Sequence, residues 1–271
     1  MSAPVVAWMD GCWGTPEQLQ LPLNDRGLLL GDGLFETVLI KGEQPQLLEA
    51  HLRRWHQAAS QLGMACPPEQ AWLQPLIAQA VKRAALPNGW GALRLNWSRG
   101  GGNARGIDLP EPPLQPRFWL QLSPHTPRFD TVSAIVSRHE QRNSASLLSR
   151  CKTLSYGQAI QARREAQAAG AEEALLLSTR GDLCCGSTAN LLVHRQGLWL
   201  TPPLSSGCLP GVMRARLLER GEAREAELAP QPEPGDQWLL INSLSCRPIS
   251  RIDGHPLQPL HTAQTLWSSL F

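Results

Sequence analysis

Leu48, Leu52, Trp55, Ala59 and Leu62 recur at spacings of three and four within LLEAHLRRWHQAASQLGM, residues 47–64. That rhythm predicts an amphipathic helix. The preceding LFETVLIKGEQP predicts a strand followed by a turn at Gly42. A second helix is predicted over EQAWLQPLIAQAVKRAAL, residues 69–86, with Pro75 setting a late start or a kink. GALRLNWS (91–98) and RFWLQLS (117–123) predict strands, separated by the glycine-rich GGGNARG and the proline-rich LPEPPLQP. After SPHTPRFD the pattern restarts with a strand over VSAIVSRHE. A helix over SYGQAIQARREAQAAG (155–170) follows, closed by Gly170. Strands EALLLS, NLLVH and LWL, a helix over VMRARLLERG (212–221), a strand over QWLLINS (237–243) and a short tail complete the chain. Strands outnumber helices without alternating regularly with them, which predicts an α+β class. The interruption near residues 109–130 predicts two domains: a small N-terminal α/β domain over 1–120, a linker over 121–130 and a larger C-terminal domain over 131–271.

Composition narrows the function classes. A net charge of +2 gives no reason to expect nucleic acid or a membrane surface as partner. The chain starts without a basic, apolar leader and contains no stretch approaching a membrane span, so a cytoplasmic protein is expected. Seven cysteines, an odd number without C-x-x-C spacing, predict reduced thiols rather than disulfides or a zinc site. His51 and His56 lie five apart, off a common helical face, and metal is not expected. The basic residues are lopsided, with 22 arginines and only Lys41, Lys82 and Lys152 as lysines. An amine can lose its proton where a guanidinium cannot, so a lysine kept in such a chain is a candidate for chemistry.

Lys152, in SRCKTLSYGQA, sits between a polar loop and a helix start. It reads as a surface lysine or as an amine held for covalent work. In GCLPGVMRARLLERG, Gly211 precedes a helix whose first unpaired amides belong to Val212 and Met213, an arrangement that suits phosphate but that every helix start shares. HLRRW places Arg53 and Arg54 on an amphipathic helix, and SRGGGNARG offers Arg99 and Arg105 to an anion or forms a plain hairpin loop. In GDLCCGSTAN, the adjacent Cys184 and Cys185 admit a disulfide, a metal site, a nucleophile, or a thiol standing where another side chain is usual.

Together, DRGLLLGDGLFETV, HLRRW, SRGGGNARG, KTLSYGQAIQARREAQAAGAEEALLL, the small residues before NLLV, LTPP and LPGVMR follow one another as in class IV aminotransferase-like proteins. Over nearly its whole length the chain resembles the fold type IV pyridoxal-phosphate enzymes, the D-amino acid and branched-chain aminotransferase group, and within it most nearly the 4-amino-4-deoxychorismate lyases. The resemblance implies a two-domain α+β fold, pyridoxal 5'-phosphate as cofactor and a homodimer. It makes Lys152 the Schiff-base lysine and catalytic acid and base, and Arg54, the arginine of H-x-x-R, the grip on the cofactor phosphate, leaving Arg53 an ordinary helix residue. Val212 and Met213 supply phosphate-binding amides, Ser243 or its neighbour Asn242 a further contact, and Tyr156 a neighbour of the cofactor's phenolic oxygen. Arg105 is implied to face substrate carboxylate, with Arg26 and Arg99 as secondary candidates that are otherwise structural. Phe35 and Thr37 are implied to line the site.

One position departs from the family pattern E-G-[ST]-x-x-N. Its glutamate, which holds a proton on the cofactor's ring nitrogen, is replaced here by Cys185 ahead of Gly186, Ser187 and Asn190. A thiol is a weak hydrogen-bond partner and leaves that nitrogen largely unprotonated. Transamination suffers from this more than elimination, in which a leaving group takes up the negative charge. The reading is a lyase that turns 4-amino-4-deoxychorismate into 4-aminobenzoate and pyruvate for folate synthesis, with an aminodeoxychorismate synthase as the upstream supplier. An aminotransferase of D-amino or branched-chain amino acids and a non-catalytic ligand-binding relative are the alternatives. Glu172 or Glu173 reaching the nitrogen instead is a further possibility. Cys184, one residue along an extended segment, is expected on the opposite side of it as ordinary packing.

Overall fold

Residues 5–101, 106–111 and 115–271 are described by the computed structural model. The chain divides into two compact units, residues 1–126 with 152–155, and residues 127–151 with 156–271.

The first unit contains β1 (Val6–Met9), β2 (Cys12–Gly14), α1 (Arg26–Leu30), β3 (Gly33–Lys41), β4 (Gln44–Pro45), α2 (Leu48–Gln61), α3 (Gln70–Ala84), β5 (Trp90–Ser98) and β6 (Arg117–Pro124). Its strands form one antiparallel sheet in the order β2-β1-β6-β5-β3-β4. β3 and β5 pair throughout, from Gly33 opposite Ser98 to Lys41 opposite Trp90. Leu34, Val38, Ile40, Leu93, Leu95, Leu120 and Leu122 are removed from solvent. α2 packs on β3, burying the predicted stripe of Leu48, Leu52, Trp55 and Ala59. α3 begins at Gln70, ahead of Pro75, so the proline does not delay the helix. Residues 121–124, expected as the start of a linker, are the end of β6, where Leu122 pairs with Leu93 and Val6.

The second unit contains β7 (Val132–Arg142), α4 (Gly157–Ala168), β8 (Glu173–Ser178), β9 (Leu183–Gly186), β10 (Asn190–Arg195), β11 (Leu198–Thr201), α5 (Val212–Glu219), β12 (Ala223–Glu225), β13 (Gln237–Asn242), β14 (Ser245–Ile252), β15 (His255–Pro256) and α6 (Ala263–Ser268). The strand order is β12-β11-β10-β13-β14-β7-β8-β9. A further pairing of Cys185 with Asn190 joins β9 back to β10, so six strands close into a ring. One cluster fills that ring: Val132, Leu175, Leu183, Leu191, Val193, Trp238, Leu240, Ile249 and their neighbours. Ala162 and Ala166 of α4 pack with Ile135, Ala174 and Leu176 in a second cluster. The stretch after residue 243, expected as a short tail, forms β14, β15 and α6. β14 pairs with β13 through a tight turn and with the sequence-distant β7, which sets Ile249 opposite both Trp238 and Val132.

Candidate active site

In the first unit, residues 152–155 lie along the start of β3. The Phe35 amide donates to the Lys152 carbonyl at 2.9 Å, the Leu154 amide donates to the Gly33 carbonyl at 2.9 Å, and Leu34 bridges Thr153. This approach explains the glycine of GDGLF. A Cβ on Gly33 would meet Leu154 Cδ1 at 2.6 Å and the Trp97 carbonyl oxygen at 2.8 Å. The pairing sets Lys152 Nζ 4.2 Å from the centre of the buried Phe35 ring. Arg94, opposite Thr37 on β5, brings its guanidinium carbon to 3.6 Å from the same ring and donates from Nε to Asn96 Oδ1 at 2.7 Å. Sequence reading did not single out Arg94; its signal was an arginine inside an otherwise alternating strand.

Glu36, which follows Phe35, is buried against Arg54 and His51. Arg54 donates from Nε and Nη2 to its two carboxylate oxygens at 2.8 and 2.5 Å, and His51 Nδ1 lies 2.8 Å from Oε2. Burial alone would push the Glu36 carboxyl up. The Arg54 charge and the His51 and Arg54 hydrogen bonds overcome that and hold it at about 2. Burial lowers the His51 pKa from its ordinary value, with Arg54 and Lys152 adding to the effect against Glu36. A neutral ring facing an ionised carboxylate must carry its proton on Nδ1. Arg54 is thereby fixed in plane by a two-point ion pair. Arg53 projects into solvent, 3.8 Å from Glu49. Glu36 was also missed, although an acid in the middle of LFETVLI is the kind of polar intrusion that marks a buried pair.

Arg26 and Arg99 are both buried and share Asp32 Oδ2, at 2.8 and 2.9 Å from their Nε atoms. The remaining nitrogens of Arg26 reach the carbonyls of Asp108 and Ile107, and those of Arg99 the carbonyls of Gly63 and Leu62. Their donors are thus committed to holding loops, which favours the structural reading over substrate binding. Arg105 lies outside the described residues.

In the second unit, Tyr156 stands at the start of α4. The register of β8 and β9 slips between Leu176 opposite Cys185 and Leu177 opposite Leu183, which makes Cys184 the extra residue of a bulge. Strand alternation therefore fails. Leu183 faces the ring interior while Cys184 and Cys185 both join the outer cluster with Cys208, which corrects the expectation that the two thiols point apart. All seven cysteines are free. The Cys184 thiol is held protonated by its hydrogen bonds to Cys185 and Cys208 and by burial.

Neither neighbouring acid is idle. Glu173 receives Arg163 Nη2 at 2.5 Å, Ser187 Oγ at 2.5 Å and the Ala174 amide at 2.9 Å; Glu172 receives Arg247 and the Ser133 amide. Gly211 stands at the N-cap of α5 and has no side chain to cap it, so the leading amides, Val212 and Met213, suit an external anion. Asn190 Nδ2 donates to the Leu209 carbonyl at 2.9 Å, and a Cβ on Gly211 would run into Asn190 Oδ1. Gly211→Ala is therefore expected to weaken cofactor retention about tenfold or more, measured by titrating cofactor into stripped protein. Asn242 is occupied by the β13–β14 turn. Its Oδ1 accepts from the Leu244 and Ser245 amides at 2.8 and 2.9 Å, which leaves Ser243 the better of the two cofactor candidates.

The model of the family described as amino-transferase class IV matches residues 33–252. The chain belongs to the class IV aminotransferase family. Among its relatives, the bifunctional aminodeoxychorismate lyase / D-amino acid transaminase of Mycobacterium tuberculosis is 27% identical over 279 residues, covering 93% of each chain. The aminodeoxychorismate lyase of Bacillus subtilis is 25% identical over 240 residues, covering 84% of this chain and 80% of its own. The branched-chain amino acid aminotransferase structure of Escherichia coli shares the fold, with a TM-score of 0.86 at 18% identity, covering 99% of this chain and 93% of that one. This class IV chain is a pyridoxal 5'-phosphate enzyme acting on small molecules. Each unit carries donors whose chemistry fits such a group: an amine at Lys152 and a fixed guanidinium at Arg54 in the first, and a helix start without a side-chain cap at Gly211 in the second. Among the described residues no helix is long and apolar enough to cross a membrane.

Proposed function

We propose that this enzyme is a lyase that converts 4-amino-4-deoxychorismate into 4-aminobenzoate and pyruvate. Cys185 carries the reading: a thiol occupies the place of the family's glutamate, and the candidate substitutes Glu172 and Glu173 are held by Arg247 and by Arg163 and Ser187. Bound pyridoxal phosphate supplies the electron sink for carbanion chemistry at the amine-bearing carbon. Lys152 would hold the cofactor through its amine, and the same amine would take the proton from that ring carbon. The adjacent carbon–oxygen bond breaks, the ring becomes aromatic, and Lys152 returns a proton to the departing enolpyruvate. Arg54, held by Glu36, is assigned the phosphate, together with the Val212 and Met213 amides and Ser243. Tyr156 is assigned the phenolic oxygen. Phe35 and Thr37 line the substrate side with Arg94, which joins Arg105 as a cation for the substrate's carboxylates.

The M. tuberculosis relative's bifunctional name keeps D-amino acid transamination as the second reading. Installing the family carboxylate separates the two. Cys185→Glu is expected to change lyase turnover by less than about tenfold, while transamination of D-amino acids rises at least about tenfold, a shift of ~1.4 kcal/mol in barrier. Cys185→Ala guards against misfolding and is expected to keep lyase turnover within the same range. A large rise in lyase turnover in Cys185→Glu would sink the idea that elimination tolerates the thiol.

A further inference from the structure

We propose that His56, Cys66 and Glu69 of the first unit form a binding site for a borderline-soft divalent cation of the zinc type. These residues take no part in the proposed cofactor chemistry. A ring nitrogen of His56, Cys66 Sγ and a Glu69 carboxylate oxygen lie within 4.8 Å of one another. Glu69 Oε1 is 3.9 Å from Cys66 Sγ and 4.0 Å from His56 Nδ1. A tetrahedral zinc at ordinary bond lengths holds its ligand atoms roughly 3.3–3.6 Å apart. Small side-chain rotations on an exposed surface close that difference.

A second observation concerns the imidazole. His56 Nε2 lies 3.3 Å from the Pro68 carbonyl oxygen. A carbonyl only accepts, so in the neutral ring Nε2 bears the proton and Nδ1, 4.0 Å from Glu69 Oε1, keeps its lone pair for a ligand. A ring anchored through its far N–H to a carbonyl is the arrangement that metal-binding histidines adopt. The backbone is equally constrained. Pro67 and Pro68 fix φ between the two loop ligands, the Ala65 carbonyl accepts the Trp97 indole N–H at 2.9 Å, and the Met64 amide donates to Ala59 at 2.9 Å. His56 rides on α2, and Glu69 stands at the start of α3.

One sulfur, one nitrogen and one carboxylate oxygen suit Zn²⁺ or Co²⁺ and disfavour Mg²⁺ and Ca²⁺, which take oxygen ligands. As the sulfur–metal bond forms, the Cys66 thiol gives up its proton to solvent. Three protein ligands leave the fourth position to water, and the ion ties the second half of α2 to the start of α3. The spacing H-x9-C-x2-E joins a helix to the loop after it. This is why a search for C-x-x-C and for histidines on one helical face passes over it.

The test is a titration of the cofactor-loaded protein, first cleared of metal with a chelator, with Co²⁺ and then Zn²⁺. One Co²⁺ per chain is expected to produce a thiolate-to-cobalt charge-transfer band that Zn²⁺ abolishes. Cys66→Ser is expected to remove the band. His56→Gln and Glu69→Gln are each expected to weaken Zn²⁺ binding by at least about tenfold, the lower end of what losing even an outer-shell partner costs. Three separate substitutions keep the test standing if one of them misfolds, as judged by circular dichroism. A band that survives in Cys66→Ser, affinities unchanged in the two other variants, or no saturable binding by the wild type overturns the proposal.

Discussion

Lys152→Ala is expected to abolish 4-aminobenzoate release, lowering turnover by at least about 10⁴-fold, because one amine serves as the covalent anchor, the base and the acid. The scaffold around it should survive. The hydrogen bonds that seat residues 152–155 on β3 are made by backbone atoms of Lys152, Leu154, Gly33 and Phe35, and an alanine keeps all of them. The comparison therefore separates chemistry from folding. Borohydride should fix the cofactor to wild-type protein at the Lys152 peptide, as seen by mass spectrometry, and leave the variant unlabelled. Residual turnover within tenfold of wild type would exclude Lys152 from every role assigned to it.

Glu36→Gln is expected to produce the second large effect, on stability and on cofactor retention together. The wild-type carboxylate satisfies Arg54 at two points and His51 at a third while fully buried. Removing one member of such a buried pair costs about 3–5 kcal/mol, because the remaining charge has no counterpart. The pH dependence has a definite sign. The folded-state pKa of Glu36 is depressed from 4.5 to about 2, so its contribution is complete above about pH 4.5 and fades as pH falls toward 2. The interval corresponds to on the order of 3 kcal/mol. Urea unfolding of wild type and Glu36→Gln should therefore show a stability gap that is level from pH 7 to about 5 and narrows below it. A gap that widens on acidification would contradict the charge assignment. Cofactor dissociation should quicken about tenfold or more, since Arg54 loses the carboxylate that orients it.

The elements readable from sequence are those whose apolar periodicity answers to one large neighbouring surface. α2 declares itself through Leu48, Leu52, Trp55 and Ala59, and β3 and β5 through runs that pair with each other across their full length. α1 was not legible. Its exposed Leu28, Leu29 and Leu30 show no periodicity, and the turn is set by Asp25, whose carboxylate accepts the Gly27 amide, and by Gly31 at φ 66°. β14 was hidden because Pro248 interrupts its pattern and its parallel partner β7 is more than a hundred residues away. The roles expected of Lys152, Arg54 and the helix start after Gly211 came from the family resemblance, since spacing alone left each with an ordinary structural reading. The bulge that turns Cys184 and Cys185 to one side, the Glu36 ion pair and the Arg94 stack on Phe35 are tertiary facts, decided by strand register and burial rather than by local spacing.

The central claim is that this class IV enzyme eliminates from a single substrate. Purified enzyme, loaded with pyridoxal phosphate and freed of all oxo acids, should convert 4-amino-4-deoxychorismate into 4-aminobenzoate and pyruvate in equal amounts over many turnovers. Release that stops after one equivalent per active site, or that appears only when an oxo acid acceptor is added, would contradict it.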